Sequence, residues 1–266
     1  MSSIGVYRYV IRTRIIRSLA YKFDVYGNIL MQTIIMTANA FFWRALYSNS
    51  QVSAEATAED MLTYTVVSAA ISIILSTNVE RRITQSVQKG SIAIDMLRPV
   101  NIFAVFFAED LGALIALLFQ NLLPVLAIGC LVARPPVPHS ASGFGLFVVS
   151  LCMAFFINWL MAAIFGMWSF RVVNMDSLIQ VKKHLIRLLS GSIIPIWFFP
   201  QGLRSVLELL PFAYLYQLPL DFFIGHYDTQ SAVRGLCVQL FWLILLWVVF
   251  LCLQKRVTRR LLVQGG

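Results

Sequence analysis

The chain has 266 residues, 59% of them hydrophobic and only 12% charged, and its mean hydropathy is +0.78. Soluble domains average roughly 45–50% apolar and about 25% charged residues, and a chain this short cannot hide such a surplus in one water-facing core. The composition argues against a soluble enzyme and excludes a disordered chain. The net charge of +9 forms no separate basic domain; the basic residues flank apolar runs and speak for membrane topology rather than nucleic acid.

The arm at residues 1–23 comes first. Tyr7, Ile11, Ile15 and Leu19 recur every four residues beside Arg8, Arg12, Arg14 and Arg17. That period predicts an amphipathic helix. It would lie on the inner membrane surface with its arginines toward anionic headgroups, or pack on another subunit. A first span is expected over 25–47. Ala38-Asn39-Ala40 mimics a signal-peptide cleavage site, but apolar residues continue through it to Trp43, so the span is expected to be retained. A second span is expected over 61–79.

The loop over 80–100 mixes Glu80, Arg81, Arg82, Lys89, Asp95 and Arg98 with Ile83, Val87, Ile92, Ile94, Met96 and Leu97. This mixture predicts structure rather than a solvated tether. Gly90 is placed to end a short helix, and Pro99 to mark the turn into the next span. Docking on a cytoplasmic partner and simple residence at the membrane surface both suit it.

The third span, 102–132, would be roughly 46 Å long as a helix, more than the ~30 Å hydrocarbon core requires. It carries Glu109-Asp110, which sit either near the inner headgroups or deeper, where they would need a cavity or partner. Asn121 in this span and Asn158 in the fourth, 144–170, are expected to bond between helices, with a place on a transport path as the other reading. A fifth span is expected over 185–200, short and interrupted by Gly191 and Pro195. The stretch 201–225, with Pro211, Tyr214 and Pro219, reads as an outer hairpin dipping back into the membrane, since broken backbone at that depth needs protein or water against it. The sixth span is expected over 232–253.

Six spans place both termini on one side, and the basic residues choose which. They cluster in the arm, at 81–98, at 171–187 and at 255–260, leaving Arg44, Arg134, Arg204 and Arg234 for the other face. The clustered face is cytoplasmic by the positive-inside rule. Cys130, Cys152, Cys237 and Cys252 lie in apolar runs and read as small hydrophobes. No Walker-type loop, H-E-x-x-H or G-x-S-x-G occurs, so no catalytic residue is proposed and nucleotide chemistry must come from elsewhere.

The amphipathic arm, the six spans, Gly90-Ser91-Ile92-Ala93-Ile94-Asp95-Met96-Leu97-Arg98-Pro99 and the outer Leu210-Pro211-Phe212-Ala213-Tyr214-Leu215-Tyr216-Gln217-Leu218-Pro219 together resemble a type-2 ATP-binding-cassette (ABC-2) exporter permease of the bacterial kind, whose ATPase is a separate chain. The resemblance implies an all-α integral membrane protein in the bacterial plasma membrane. It implies partner ABC ATPase subunits, which hold the ATP and Mg, and a second permease, identical or related. Glu80, Arg81, Arg82, Lys89, Gly90, Asp95, Arg98 and Pro99 would then form or flank the ATPase contact. Glu109, Asp110, Asn121, Asn158, Pro195, Pro211, Tyr214 and Pro219 are the candidates for path or gate. The competing class is a proton-coupled transporter working through Glu109 or Asp110; cargo in either case is expected to be amphipathic or hydrophobic.

Overall fold

The computed structural model describes residues 3–20, 22–48, 56–96, 100–133, 136–172 and 175–264, and every regular element among them is helical. In chain order these are α1 (Ser3–Ala20), α2 (Lys22–Ser48), α3 (Ala58–Ile74), α4 (Val79–Gln88), α5 (Ser91–Met96) and α6 (Ile102–Leu117). A π-helical turn (Leu118–Leu122) carries α6 into α7 (Leu123–Val132). Then follow α8 (Ala141–Met167), α9 (Asp176–Leu189), α10 (Gln201–Leu209), α11 (Ala213–Ile224) and α12 (Thr229–Gln264). Among the described residues, 5 helical stretches are long and apolar enough to cross a membrane: Val25–Ser48, Ala58–Gln88, Ile102–Val132, Ala141–Phe170 and Thr229–Thr258.

The span expected over 185–200 is not one helix, and that expectation is corrected. The helix there, α9, starts at Asp176, is rich in Lys182, Lys183, His184 and Arg187, and stops at Leu189. Gly191 follows with φ 82°, a conformation that favours glycine, and Pro195 leads into a single 3-10 turn at Ile196–Phe198. The interruptions expected at Gly191 and Pro195 are there; what differs is that the helix before them begins at Asp176 and no helix continues to residue 200.

Local chemistry sets the other ends. Thr57 caps α3 reciprocally with Asp60: Asp60 N–H donates to Thr57 Oγ1 at 3.2 Å and Thr57 N–H to Asp60 Oδ2 at 2.9 Å. Asn101 caps α6 by accepting from Phe103 N–H at 3.0 Å, and Ser140 caps α8 by accepting from Gly143 N–H at 3.0 Å. At its far end α3 leaves carbonyls without helical partners; Asn158 of α8 donates to one of them, Leu75 O, at 2.6 Å.

The bundle is assembled around α8, which packs on α11, α12 and α4. Missing side chains set the closest approaches. A Cβ at Gly166 would lie 2.9 Å from Glu80 Cα, so α4 rests on the backbone of α8. One at Gly112 would lie 2.7 Å from Ile11 O, so α1 is pressed across α6. The arm is thus docked within its own chain through Ile11 and Arg14, while Tyr9, Ile16 and Leu19 face outward.

Two apolar clusters mark the two ends of the bundle. Val79, Ile83, Phe103, Trp159, Phe250 and Val257 join α3's exit, α4, α6, α8 and α12 at what we term the α4 end. Trp43, Tyr64, Leu220 and Phe223 belong to a cluster reaching the opposite, His139 end, where His139 N–H donates to Phe223 O at 3.0 Å.

Candidate functional site

At the α4 end the charged residues of the helix α4 divide by face. Glu80 is 0% exposed and receives the Lys182 ammonium on Oε2, with Lys183 at 3.6 Å from Oε1. The Lys182 side chain is itself only 11% exposed. Two turns of logic follow from this pair: α4 is fixed to α9, and neither partner can be removed without stranding a buried charge.

Two residues on, about 200° around the helix, Arg82 turns to the other side. Its Nη1 donates to Glu109 Oε2 at 2.7 Å and its Nη2 lies 3.2 Å from Asp110 Oδ1. Thr77 Oγ1 donates to the other Asp110 oxygen at 2.6 Å. Arg14 of α1 completes the group: burial lowers its pKa, Arg82 adds to that effect, and Glu109 and Asp110 oppose it. The carboxylates of the third span are therefore compensated by cations from α4 and α1, with Asp110 itself only 3% exposed.

The remaining face of this region is open. Arg81, Gln85, Gln88, Lys89 and Gly90 are exposed, and Gly90, at φ 69°, turns the chain from α4 into α5. Ile94 of α5 is exposed and Asp95 partly so. Arg98 and Pro99 lie outside the described residues.

The break between α9 and α11 is held by side chains of α3 and α11. Tyr64 donates its hydroxyl to Gly191 O, and Ser68 donates to Ser192 O at 2.6 Å. The Gln217 carboxamide oxygen accepts from Ile196 N–H at 2.8 Å, while Gln217 N–H donates to Ser190 O at 3.2 Å. Backbone groups freed by the break thus find protein partners, as an apolar surrounding requires. Pro195 is buried at the start of the 3-10 turn, Pro211 in the turn between α10 and α11, and Pro219 inside α11. Tyr214 donates to Glu208 O at 2.8 Å, closing α10 onto α11. Across the hairpin, Gln239 of α12 donates to Tyr214 O at 3.0 Å and to Ser150 O at 2.9 Å.

Between α10, α11 and the first turns of α12 lies a half-open cavity of about 830 Å³, lined among others by Trp197, Arg204, Tyr214, Asp221, Tyr227 and Arg234. Asn158 is engaged in the bond to Leu75 described above and Asn121 is 2% exposed inside the π turn; neither lines this cavity.

Several of the partners were invisible in the sequence because they come from distant segments. Lys182 and Lys183 read as surface charges, and Thr77 as part of a span. Gln217 and Asp221, spaced four apart in one helix, carried a weak local signal: Gln217 Nε2 donates to Asp221 Oδ1 at 2.7 Å. Among the described residues no group of three or more His, Cys, Asp or Glu side chains could hold a metal ion.

Comparison with protein families gives one match: the model described as "ABC-2 family transporter protein" covers residues 33–265. The comparison with curated proteins gives no match. The matched range takes in α4, Arg82 with Glu109 and Asp110, the broken segment and the cavity, and leaves out all of α1 and the first turns of α2.

Proposed function

The chain belongs to the ABC-2 family of transporter proteins, and from that membership we propose that it is the permease subunit of an ATP-driven exporter of amphipathic or hydrophobic molecules. ABC-2 permeases work with ABC ATPase partners, and this one would borrow its energy from such a partner, which would hold ATP and Mg. The observation that carries the reading is the division of α4. One face is anchored to α9 through Glu80 and to α6 through Arg82, while Arg81, Gln85 and Lys89 face outward beside the Gly90 turn. A helix so placed can take a push on its exposed face and pass it to several spans at once. Arg98 and Pro99 would extend that contact.

In this reading the α4 end is cytoplasmic and the protein sits in a bacterial plasma membrane with both termini inside. The sixth crossing would be made by α9 and α11 together: α9 meets Glu80 through Lys182 midway along its length, and α11 ends beside His139. The transport path would run between two permease copies, identical or related, with the α10–α11 hairpin as the outer lid. Proton coupling through Glu109 and Asp110 is the weaker reading, because Arg82 compensates both carboxylates.

The test is co-purification from native membranes, followed by ATPase and transport assays on the reconstituted complex. A stoichiometric ATPase is expected, and Arg81→Glu is expected to leave ATP hydrolysis running while export falls at least tenfold. Absence of an ATPase, or full coupling in Arg81→Glu, overturns the proposal. Full export after neutralising Glu109 and Asp110 together would exclude the proton-driven alternative.

A further inference from the structure

The outer face of α12 changes character along its length. Phe241, Ile244, Val248 and Leu251, each at least 38% exposed, recur at spacings of three and four and so form one stripe. From Phe241 to Leu251 the stripe is roughly 15 Å long, about half of the ~30 Å hydrocarbon core. The next two steps of the same period are Lys255 and Thr258, and the sequence carries no Asp or Glu beyond Asp228. An apolar strip about one leaflet long thus runs into a basic, hydrogen-bonding end.

At that end lies a second cavity, of about 370 Å³, lined by Asn101, Leu251, Gln254, Lys255 and Thr258. It belongs to the α4 end, where Phe103 of α6 meets Phe250 of α12 edge-on with ring centroids 5.5 Å apart. Asn101 spends its carboxamide oxygen on Phe103 N–H and Ala104 N–H, at 3.0 and 3.3 Å, so its Nδ2 hydrogens remain to donate elsewhere. Lys255 is exposed. Among the described residues it forms no ion pair, and no acidic side chain lines the cavity. The walls therefore offer donors and one positive charge, with no anion of their own.

We propose that this cavity binds the phosphate of an anionic phospholipid whose acyl chain lies along the Phe241–Leu251 stripe. A phosphodiester has charged oxygens and no proton to donate, which suits an ammonium on one helix and a primary amide at the start of another. A lipid whose headgroup carries its own cation has no net charge and gains less from Lys255. Basic pockets between helices at the cytoplasmic membrane surface hold anionic headgroups in this way, and in the permease reading the α4 end is cytoplasmic. An occupant here ties the start of α6 to α12 about two turns from Glu109, the acceptor of Arg82. The site needs only a chain that crosses a membrane, so it stands or falls without reference to any ATPase.

Trp247 is a built-in reporter: it is 49% exposed and adjoins both Ile244 and Leu251 on the helix surface. The test uses the full chain, delipidated in uncharged maltoside micelles and titrated with phosphatidylglycerol or phosphatidylcholine carrying brominated acyl chains. Quenching of Trp247 is isolated by difference against Trp247→Phe. Half-quenching is expected at a mole fraction of phosphatidylglycerol at least fivefold lower than of phosphatidylcholine. Lys255→Glu is expected to raise the phosphatidylglycerol value at least fivefold and Lys255→Arg to leave it in place. Arg256→Glu makes the same charge change at an exposed residue outside the cavity, and is expected to move the value less than twofold. Equal quenching by the two lipids, or equal losses in Lys255→Glu and Arg256→Glu, overturns the proposal, since the basic end would then act only as a diffuse charge. Soluble glycerol 3-phosphate is expected not to compete; displacement by it would make the occupant a free phosphate and overturn the lipid assignment. Absence of Trp247 quenching by either lipid would show the stripe covered by a second copy of the chain, and overturns it equally.

Discussion

The two ends of the bundle treat buried charge in opposite ways. At the α4 end, among the described residues, the buried Glu80 and Asp110 have basic partners brought from other helices: Glu80 has Lys182 and Lys183, and Asp110 shares Arg82 with the half-buried Glu109. At the His139 end Asp221 is held by an amide and lies beside an imidazole. Compensated charge fixes helices to each other and transmits displacement. At the other end the acidic side chain is held by an uncharged amide one turn away on its own helix, so its printed contact lies within one helix rather than between two.

The largest expected effect tests the α4 end. Glu80→Gln strands the buried Lys182 ammonium and should cost about 3–5 kcal/mol of stability, seen as an earlier midpoint in SDS unfolding of the full chain. Exchanging the pair, Glu80→Lys with Lys182→Glu, should recover part of that loss. A Glu80→Gln chain as stable as the parent would end the contrast, because the pair would then hold nothing together.

A smaller effect is expected where α1 meets α6. Gly112→Val places side-chain atoms where Ile11 O and Arg14 Cβ already stand, at 2.7 and 2.9 Å from a Cβ. Overpacking of this kind costs about 1–3 kcal/mol, and here the cheapest relief is to lift α1 away. Limited proteolysis should cut α1 faster in the variant while leaving α8 and α12 protected.

The smallest effect sharpens the other side. Asp221→Asn keeps the oxygen that accepts from Gln217 Nε2, so stability should move by less than about 1 kcal/mol in either direction in the same SDS titration. A loss as large as that of Glu80→Gln would show that Asp221 is structural and that the two ends are alike.

How much of this could be read from the chain follows from the range of the interactions. Spans such as Val25–Ser48 and Ala141–Phe170 were legible because hydropathy is a sum over adjacent residues. So was the possibility of a turn at Gly90, where a single residue type carries the information. The fifth span was placed too late because apolar composition hides the charged first turns of α9, which begins at Asp176; its end by Gly191 was marked in the sequence, but the hydrogen bonds from Tyr64 and Ser68 that hold the break were not. The candidate site was legible by half. Glu109 and Asp110 announced themselves by being charged in an apolar run, but their partner Arg82 read as a loop residue. Asp221 drew no notice, since only the folded hairpin sets it in a cavity with aromatic rings from three segments.

The π turn at Leu118–Leu122 has a bearing on how α6 and α7 can serve two sets of neighbours. A π turn accommodates one residue more than an α-helical turn, and one residue is about 100° of rotation around the axis. Downstream of it the helix is out of phase with itself: α6 offers one stripe to α1, and α7 offers a differently aimed stripe to α2 and α3, where Gly129 meets Val66. The inserted residue works as a phase shifter in a single rod, so that a twist applied at the Arg82 end is delivered at the far end along a new bearing.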